Sequence, residues 1–357
     1  DLAIIVVNAK FVLSTIDQCN EKGIKGICII TAGFKETGAA GAELEKELVE
    51  KIHSYGMRCV GPNCLGVVNT HPDVRMDGCF AESLPERGNI GFVSQSGALG
   101  GGILNILKDL NLGFAQFISI GNQADVNAET ALEYWENDED VEQILLYMES
   151  IQNPANFRKL ASRISRKKPV LALKAGRSAA GASAASSHTG SLAGADKAAN
   201  ALLKQSGVIR EYSLKNLFAT AKVFANCPIP QGDRVAIITN SGGPGIMATD
   251  AISEYGMQMA KITDETKEKL RSFLPSAASV KNPIDMIASA PIEHYKQTLE
   301  TVIADPNVDM IITIYLPFLG LKDIDVAQAL MEIKAQHPEK PIIGVFMTKS
   351  EFFTKLS

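Results

Sequence analysis

The sequence predicts an α/β protein built on parallel sheets. Apolar runs of strand length alternate along the chain with amphipathic helical stretches. The runs are close to continuously hydrophobic, as in "GICIIT", "QILLYM" and "VAIITN", which marks strands covered on both faces. Strands joined through helices pair in parallel, because only a crossover connection brings them side by side.

The elements follow in order. "LAIIVV" precedes a helix over Lys10–Lys22. "GICIIT" precedes a helix over Glu43–Tyr55, and "RCVGPN" follows. Further strands are "NIGFVS", "AQFISI", "QILLYM" and "PVLALK", then "VAIITN", "MQMAKI", "DMIITIYL" and "PIIGVF". Two linkers interrupt the series. "DGCFAESLPERG" (Asp77–Gly88) separates the first sheet from the second, and "CPIPQGD" (Cys227–Asp233) separates the second from the third. The expected domains are therefore 1–80, 86–226 and 232–357. The chain starts without Met inside a strand pattern and stops just after another, so it reads as a fragment of a longer polypeptide.

Hydrophobic residues make up 46% and charged residues 21% of the 357 positions, an ordinary balance for a globular protein with a real core. The net charge is -5 with no basic block, which argues against nucleic acid as a main partner. Small anionic ligands stay open, since a helix start holds phosphate without a basic surface. The six cysteines form no CxxC pair, which fits a reducing cytosol with no disulfide framework and no metal site. Cys28 reads as core. No apolar run reaches the ~18–20 residues that a membrane span needs. A cytoplasmic location is expected.

Two stretches share one grammar. "IGFVSQSGALGGGILNIL" and "VAIITNSGGPGIMATDAI" each run from a buried strand through a Ser-Gly turn into a helix that opens with small residues. The first places Ser94, Gln95, Ser96 and Gly97 at the turn. The second places Asn240, Ser241, Gly242, Gly243 and Gly245 there. A helix start carries unpaired N–H groups and about half a positive charge, and glycine lets an anion come close. Ligands of open α/β sheets bind beyond the carboxyl ends of strands, where both turns lie. One such loop is also what any capped βα unit looks like. Two of them, with His188 between them in "AASSHTGSLAG" (Ala184–Gly194), say more. Small residues surround this imidazole, which suits a ring that must reach something. Glu149, at the end of "QILLYME", reads either as a solvated loop carboxylate or as the acceptor of an imidazole Nδ1–H that leaves Nε2 free as a nucleophile.

The chain resembles the alpha portion of the NDP-forming acyl-CoA synthetases, relatives of ADP-forming acetate–CoA ligase and succinyl-CoA synthetase. The resemblance rests on "TAGFKETG" (Thr31–Gly38), "GPNCLGVVN" (Gly61–Asn69), "GFVSQSGALG" (Gly91–Gly100), "SIGNQADV" (Ser119–Val126), "SSHTGSLAG" (Ser186–Gly194), "TNSGGPGIMATDA" (Thr239–Ala251) and "NPIDM" (Asn282–Met286), in family order. It implies a partial Rossmann-like CoA-binding domain followed by two flavodoxin-like domains of the succinyl-CoA synthetase type. An ATP-grasp portion, which holds ADP or ATP with Mg2+, would be a separate beta subunit or lie beyond Ser357. A homo- or hetero-oligomer is expected.

The resemblance also implies roles. His188 would be the phosphorylated histidine, oriented by Glu149. The Ser94–Ala98 turn, helped by Gly121, Asn122 and Gln123, would hold phosphate in a first site, and Asn240–Gly245 in a second. Asn8, Thr31, Ala32, Gly33, Phe34, Pro62, Asn63 and Cys64 would border CoA and the acyl group; the family more often has proline where Asn8 stands. The implied reaction interconverts acyl-CoA, phosphate and ADP with a carboxylic acid, CoA and ATP, through an acyl phosphate and a phosphohistidine on a loop that moves between sites. Acetyl-CoA is the expected acyl-CoA. The alternative is a CoA-sensing scaffold fused to an acetyltransferase, without catalysis. A nicotinamide dehydrogenase is disfavoured, since no strand–GxGxxG–helix unit is present. Cys64 reads as a small buried residue lining the CoA site or as a nucleophile. Lys35 and Arg177 have ordinary surface readings beside a phosphate-contact one. Trp135 reads as a helix residue packed on its sheet. His53, His71, His294 and His337 read as solvated.

Overall fold

The structure is a computed structural model, and it describes residues 1–178, 180–181, 196–318, 322–349 and 351–352. Its contacts divide into two units, Asp1–Ala225 and Asn226–Ser357.

In the first unit β1 (Leu2–Ile5), β2 (Gly26–Ile29) and β3 (Arg58–Val60) form a three-stranded parallel sheet. Val12 and Ile16 of α1 (Ala9–Glu21) and Leu48 and Ile52 of α2 (Ala39–Ser54) close its core with Ile27, Ile29 and Phe34. The second sheet contains β4 (Gly66–Asn69), β5 (Met76–Cys79), β6 (Arg87–Ser94), β7 (Phe114–Ser119), β8 (Gln143–Met148), β9 (Val170–Lys174) and β10 (Ile209–Glu211), in the spatial order β10-β9-β8-β6-β7-β4-β5.

This sheet shows why its strands read as unbroken apolar runs. Successive side chains of a strand point to opposite faces. Val93 of β6, Ile144 and Leu146 of β8 and Val170 of β9 face α4 (Ala128–Trp135) and α5 (Pro154–Ile164). Their neighbours Phe92, Leu145 and Leu171 face α3 (Gly97–Ile106) and α7 (Leu214–Asn226). Each face must be apolar, so no alternation survives. Trp135 is fully buried under the first face and donates its indole N–H to Gln116 Oε1 at 2.9 Å. α6 (Asp196–Gln205) adds Leu203 to the same core.

The second unit repeats the plan. β11 (Arg234–Thr239) pairs in parallel with β12 (Gln258–Met259), β13 (Ile284–Asp285) and β14 (Met310–Tyr315), and β14 with β15 (Ile342–Phe346). Ala236 and Ile238 join the core formed with α9 (Asp264–Phe273), α10 (Ile292–Ile303) and α11 (Asp323–Gln336). Val235 and Ile237 face α8 (Gly242–Glu254) through Ile252.

The sheets are mostly parallel, as expected, with one local exception. β4 pairs antiparallel with both β5 and β7. The change of sheet thus comes before Gly66, and β5 lies partly inside the segment read as a linker. These strands are four residues each, too short to show periodicity, and β5 ("MDGC") carries Asp and Gly.

Candidate active site

Each unit carries one strand end of the same build, and the first of them lies at the candidate site. β6 ends at Ser94, whose Oγ donates to the Ser96 carbonyl at 2.7 Å. β11 ends at Thr239, whose Oγ1 donates to the Ser241 carbonyl at 2.8 Å. The next residue is an amide in both. Gln95 accepts the N–H groups of Glu149 (2.6 Å) and Ser150 (2.9 Å) and donates to the Ser150 carbonyl (2.7 Å). Asn240 accepts the Leu316 N–H (3.0 Å) and donates to the Leu316 carbonyl (2.8 Å). Each amide clamps the loop that follows the adjacent strand, β8 in one case and β14 in the other. Both side chains are thereby engaged by neighbouring loops, which leaves backbone N–H groups of each turn as its donors for an anion. Ser96 caps α3, its Oγ accepting the Leu99 N–H at 3.3 Å. Ser241 precedes α8 without a side-chain cap.

A cavity of about 610 Å³ opens above the first of these turns. It gathers Ala32, Asn63, Cys64, Gln95, Ser96, Gly97, Ala98, Gly121, Asn122 and Glu149, all expected from sequence. A second cavity of about 540 Å³ is lined by Val6–Ala9 and Ile30–Gly33, and so by Asn8, Thr31 and Gly33. Ile30 and Ala32 line both. The loops carrying Val6–Ala9, Ile30–Gly33 and Asn63–Cys64 and the start of α3 therefore border one continuous set of walls within the first unit. Four expected residues stand behind these walls. Ser94 and Phe34 are fully buried, and Pro62 and Gln123 are buried as well. The Pro62 carbonyl accepts the Asn122 N–H at 2.9 Å, and the Gln123 N–H bonds the Ile120 carbonyl at 2.9 Å. Asn240–Gly245 belong to the second unit. His188 lies outside the described residues.

Local chemistry separates several alternatives. Cys64 is buried with its Sγ 3.8 Å from that of Cys28. The Cys28 thiol and burial push the Cys64 thiol well above the ordinary range. A thiol held protonated is a weak nucleophile, so the geometry fits a wall residue. Asn8 caps α1, accepting the Lys10 N–H at 3.3 Å. Lys35 pairs with Glu45 at 3.2 Å, and Arg177 lies over the Tyr212 ring at 5.1 Å. His53 is exposed, and bonds Asp125 Oδ1 at 3.1 Å.

Sequence reasoning passed over other residues near the site. Phe80, Ala81 and Glu82, read as linker, line the first cavity, as do Gly101, Gly102 and Asn105 of α3. A Cβ on Gly102 would meet no atom within 4 Å, and one on Gly101 only the Leu65 side chain at 3.7 Å. The run "GALGGG" was the available signal, because helix-interior glycines that no neighbour requires are costly. Lys174 ends β9 beside Met148 and is buried. Burial lowers its pKa against the pull of Asp196 and Glu149.

Three family models match the chain in order: a CoA binding domain over residues 1–70, a succinyl-CoA ligase like flavodoxin domain over 87–224 and a ligase-CoA domain over 235–352. The alpha subunit of ADP-forming acetate–CoA ligase II from Pyrococcus furiosus is 46% identical over 350 residues, covering 97% of this chain and 76% of that subunit. ADP-forming acetate–CoA ligase I from Archaeoglobus fulgidus is 42% identical over 331 residues, covering 93% of this chain and 48% of that protein. The dinucleotide forming acetyl-coenzyme A synthetase 1 of Candidatus Korarchaeum cryptofilum, solved in complex with phosphate and ADP, superposes with a TM-score of 0.93 at 34% identity, covering 99% of this chain and 76% of that one. The chain belongs to the family of ADP-forming acetate–CoA ligases and corresponds to their alpha portion. It spans 76% of the alpha-subunit relative and about half (48%) of the longer one.

Proposed function

We propose that this chain carries the acyl-transfer half of an ADP-forming acyl-CoA ligase, with acetyl-CoA the favoured acyl-CoA. The observation that carries the reading is the meeting of the α3 start, Glu149 and the CoA-side loop on one cavity. The residues present fit a phosphate there. α3 offers its first N–H groups and dipole, and a Cβ at Gly97 would lie 3.3 Å from the Leu65 backbone nitrogen, so glycine lets the helix start pack closely on the Cys64–Leu65 wall. They fit CoA as well, since the two cavities share Ile30 and Ala32 and so offer one path for a thiol arm.

In this reading a phosphate oxygen attacks the thioester carbon. The C–S bond breaks and CoA departs as its thiol, leaving an acyl phosphate. A ring nitrogen of His188 then attacks phosphorus, the P–O bond to the acyl group breaks, and the carboxylate leaves. Glu149 holds the opposite ring N–H. Such transfer depends on positioning and charge stabilisation, which helix starts supply. The Asn240–Gly245 turn would hold the phosphoryl group at the second site. An ATP-grasp beta portion, fused or separate, would supply ADP and Mg2+, whose charge offsets that of the transferred phosphoryl group. The domains would follow the spans 1–80, 86–226 and 232–357, with β4 and β5 of the first span joining the sheet of the second, and the complete enzyme would be a cytoplasmic oligomer. Among the described residues no helix is long and apolar enough to cross a membrane.

The test is phosphoenzyme formation. Full-length enzyme incubated with acetyl-CoA, phosphate and magnesium, without ADP, is expected to gain one acid-labile, base-stable phosphate by intact mass, absent from His188→Asn. CoA binding without any such phosphate, across several acyl-CoAs, would instead favour the sensing scaffold.

A further inference from the structure

The cavity wall opposite α3 is held by a network that the reaction above does not use. Glu45 sits on α2 at a position of the stripe that buries Gly41, Leu48 and Ile52. It is 7% exposed. A carboxylate in an apolar stripe is costly unless paired, and an apolar residue there is often as stable or more so. Stability alone therefore does not explain it, and its contacts point elsewhere. Glu45 Oε1 pairs with Lys35 Nζ at 3.2 Å. Glu45 Oε2 accepts the Asn122 side-chain amide at 2.8 Å and the Lys35 N–H at 3.4 Å. The same amide donates to Glu36 Oε2 at 2.6 Å, while Glu36 Oε1 accepts the N–H groups of Gly33 (2.5 Å) and Phe34 (3.1 Å). Lys35 also donates to the Asn122 carbonyl. Asn122 Oδ1 accepts from the Asn63 side chain at 3.3 Å. Two loops thus meet on one buried carboxylate, and a third joins them through Asn63 and Asn122. One carries Ala32 and Gly33, one Asn63 and Cys64, and one Gly121 and Asn122, and each lines a cavity.

We infer that Glu45 is a positioning residue, which through Asn122 and Lys35 sets the loop over the acyl-CoA in register with the phosphate end of the cavity. The inference rests on the proposed function. Two oxygens from one group hold two loops at once, so movement of either strains the other. Reacting atoms must meet at ~3–3.5 Å, and a shift of about 1 Å in such a frame costs up to about a hundredfold in rate.

The test compares two routes to the same phosphohistidine in the complete enzyme. Acyl-CoA plus phosphate needs both sides of the cavity in register, whereas ATP acting through the nucleotide-binding portion does not need the acyl-CoA loop. Glu45→Leu is expected to slow phosphorylation from acetyl-CoA and phosphate by about tenfold or more and to raise the KM for acetyl-CoA, with phosphorylation by ATP within about twofold of the parent. Glu45→Gln, which can still accept from Asn122, should recover most of the loss. If Glu45→Leu fails to fold, Lys35→Met cuts the same pair from its more exposed end. Equal loss by both routes, or no loss by the acyl-CoA route, would overturn the inference. Direct CoA binding separates it from the functional reading. Should the parent form no phosphoenzyme at all, the functional reading falls, and CoA affinity weakened about fivefold in Glu45→Leu would still support the positioning role while an unchanged affinity would overturn it.

Discussion

Asp309 gathers its hydrogen bonds from one arginine. Arg234 donates through its backbone N–H (2.9 Å), Nε (2.8 Å) and Nη2 (2.7 Å). That side chain holds the Asp309 carboxyl at about 2, below the ordinary 3.8. A depressed carboxyl stabilises the fold at pH above its unfolded value and loses that contribution as pH falls through the folded one. The window is therefore pH 4 down to pH 2. Asp309→Asn should cost ~1–2 kcal/mol at pH 7, the guanidinium being partly open to solvent, and the difference from the parent should close towards pH 2. Denaturant unfolding at pH 7 and pH 3 checks this, and a pH-independent difference would contradict it. Residue roles of this kind were the least legible part of the sequence. Gln95 and Asn240 read as members of anion-binding turns, yet their side chains clamp neighbouring loops. Glu45 gave no signal, because its partners Lys35 and Asn122 come from two separate loops. A local pattern cannot show a contact made by the fold.

At the scale of elements, α3 carries the sharpest contrast. Gly100 is required by packing, since a Cβ there would lie 2.8 Å from the Phe117 ring. Gly102 is not, since nothing lies within 4 Å of its Cβ position. Gly100→Ala should destabilise by ~1–3 kcal/mol through overpacking. Gly102→Ala should stabilise by up to ~1 kcal/mol through helix propensity. Thermal melts of both variants check the pair; opposite shifts are expected, and two losses would mean that Gly102 also meets something within the protein. Elements were well legible where both faces of a strand are buried, as in β6, β8 and β11, because burial forces an unbroken apolar run. They were poorly legible at the sheet edge. β4 and β5 have four residues each, β4 runs against both β7 and β5, and only these pairings define them.

On the scale of the whole molecule, the echo between the two Ser-Gly turns extends to the sheets around them. β6 lies between β8 and β7, and β11 pairs with β14 and β13. The Ser94 carbonyl accepts the Ile120 N–H at 2.9 Å, and the Thr239 carbonyl accepts the Met286 N–H at 2.8 Å. The sequence grammar was thus the trace of one supersecondary plan used twice, once per unit. Each unit also closes its own apolar core: Trp135 and Phe157 belong to the first, Tyr295 and Leu299 to the second. A unit with its own core has the means to unfold on its own. Calorimetry is therefore expected to resolve two transitions. Phe157→Ala, which empties a fully buried site in the first unit, should lower one of them by ~3–5 kcal/mol and leave the other in place. Asp309→Asn should move only the other. A single transition that both variants shift alike would mean that the two cores melt as one, and the repeat would then describe the ancestry of the fold's plan but not its energetics.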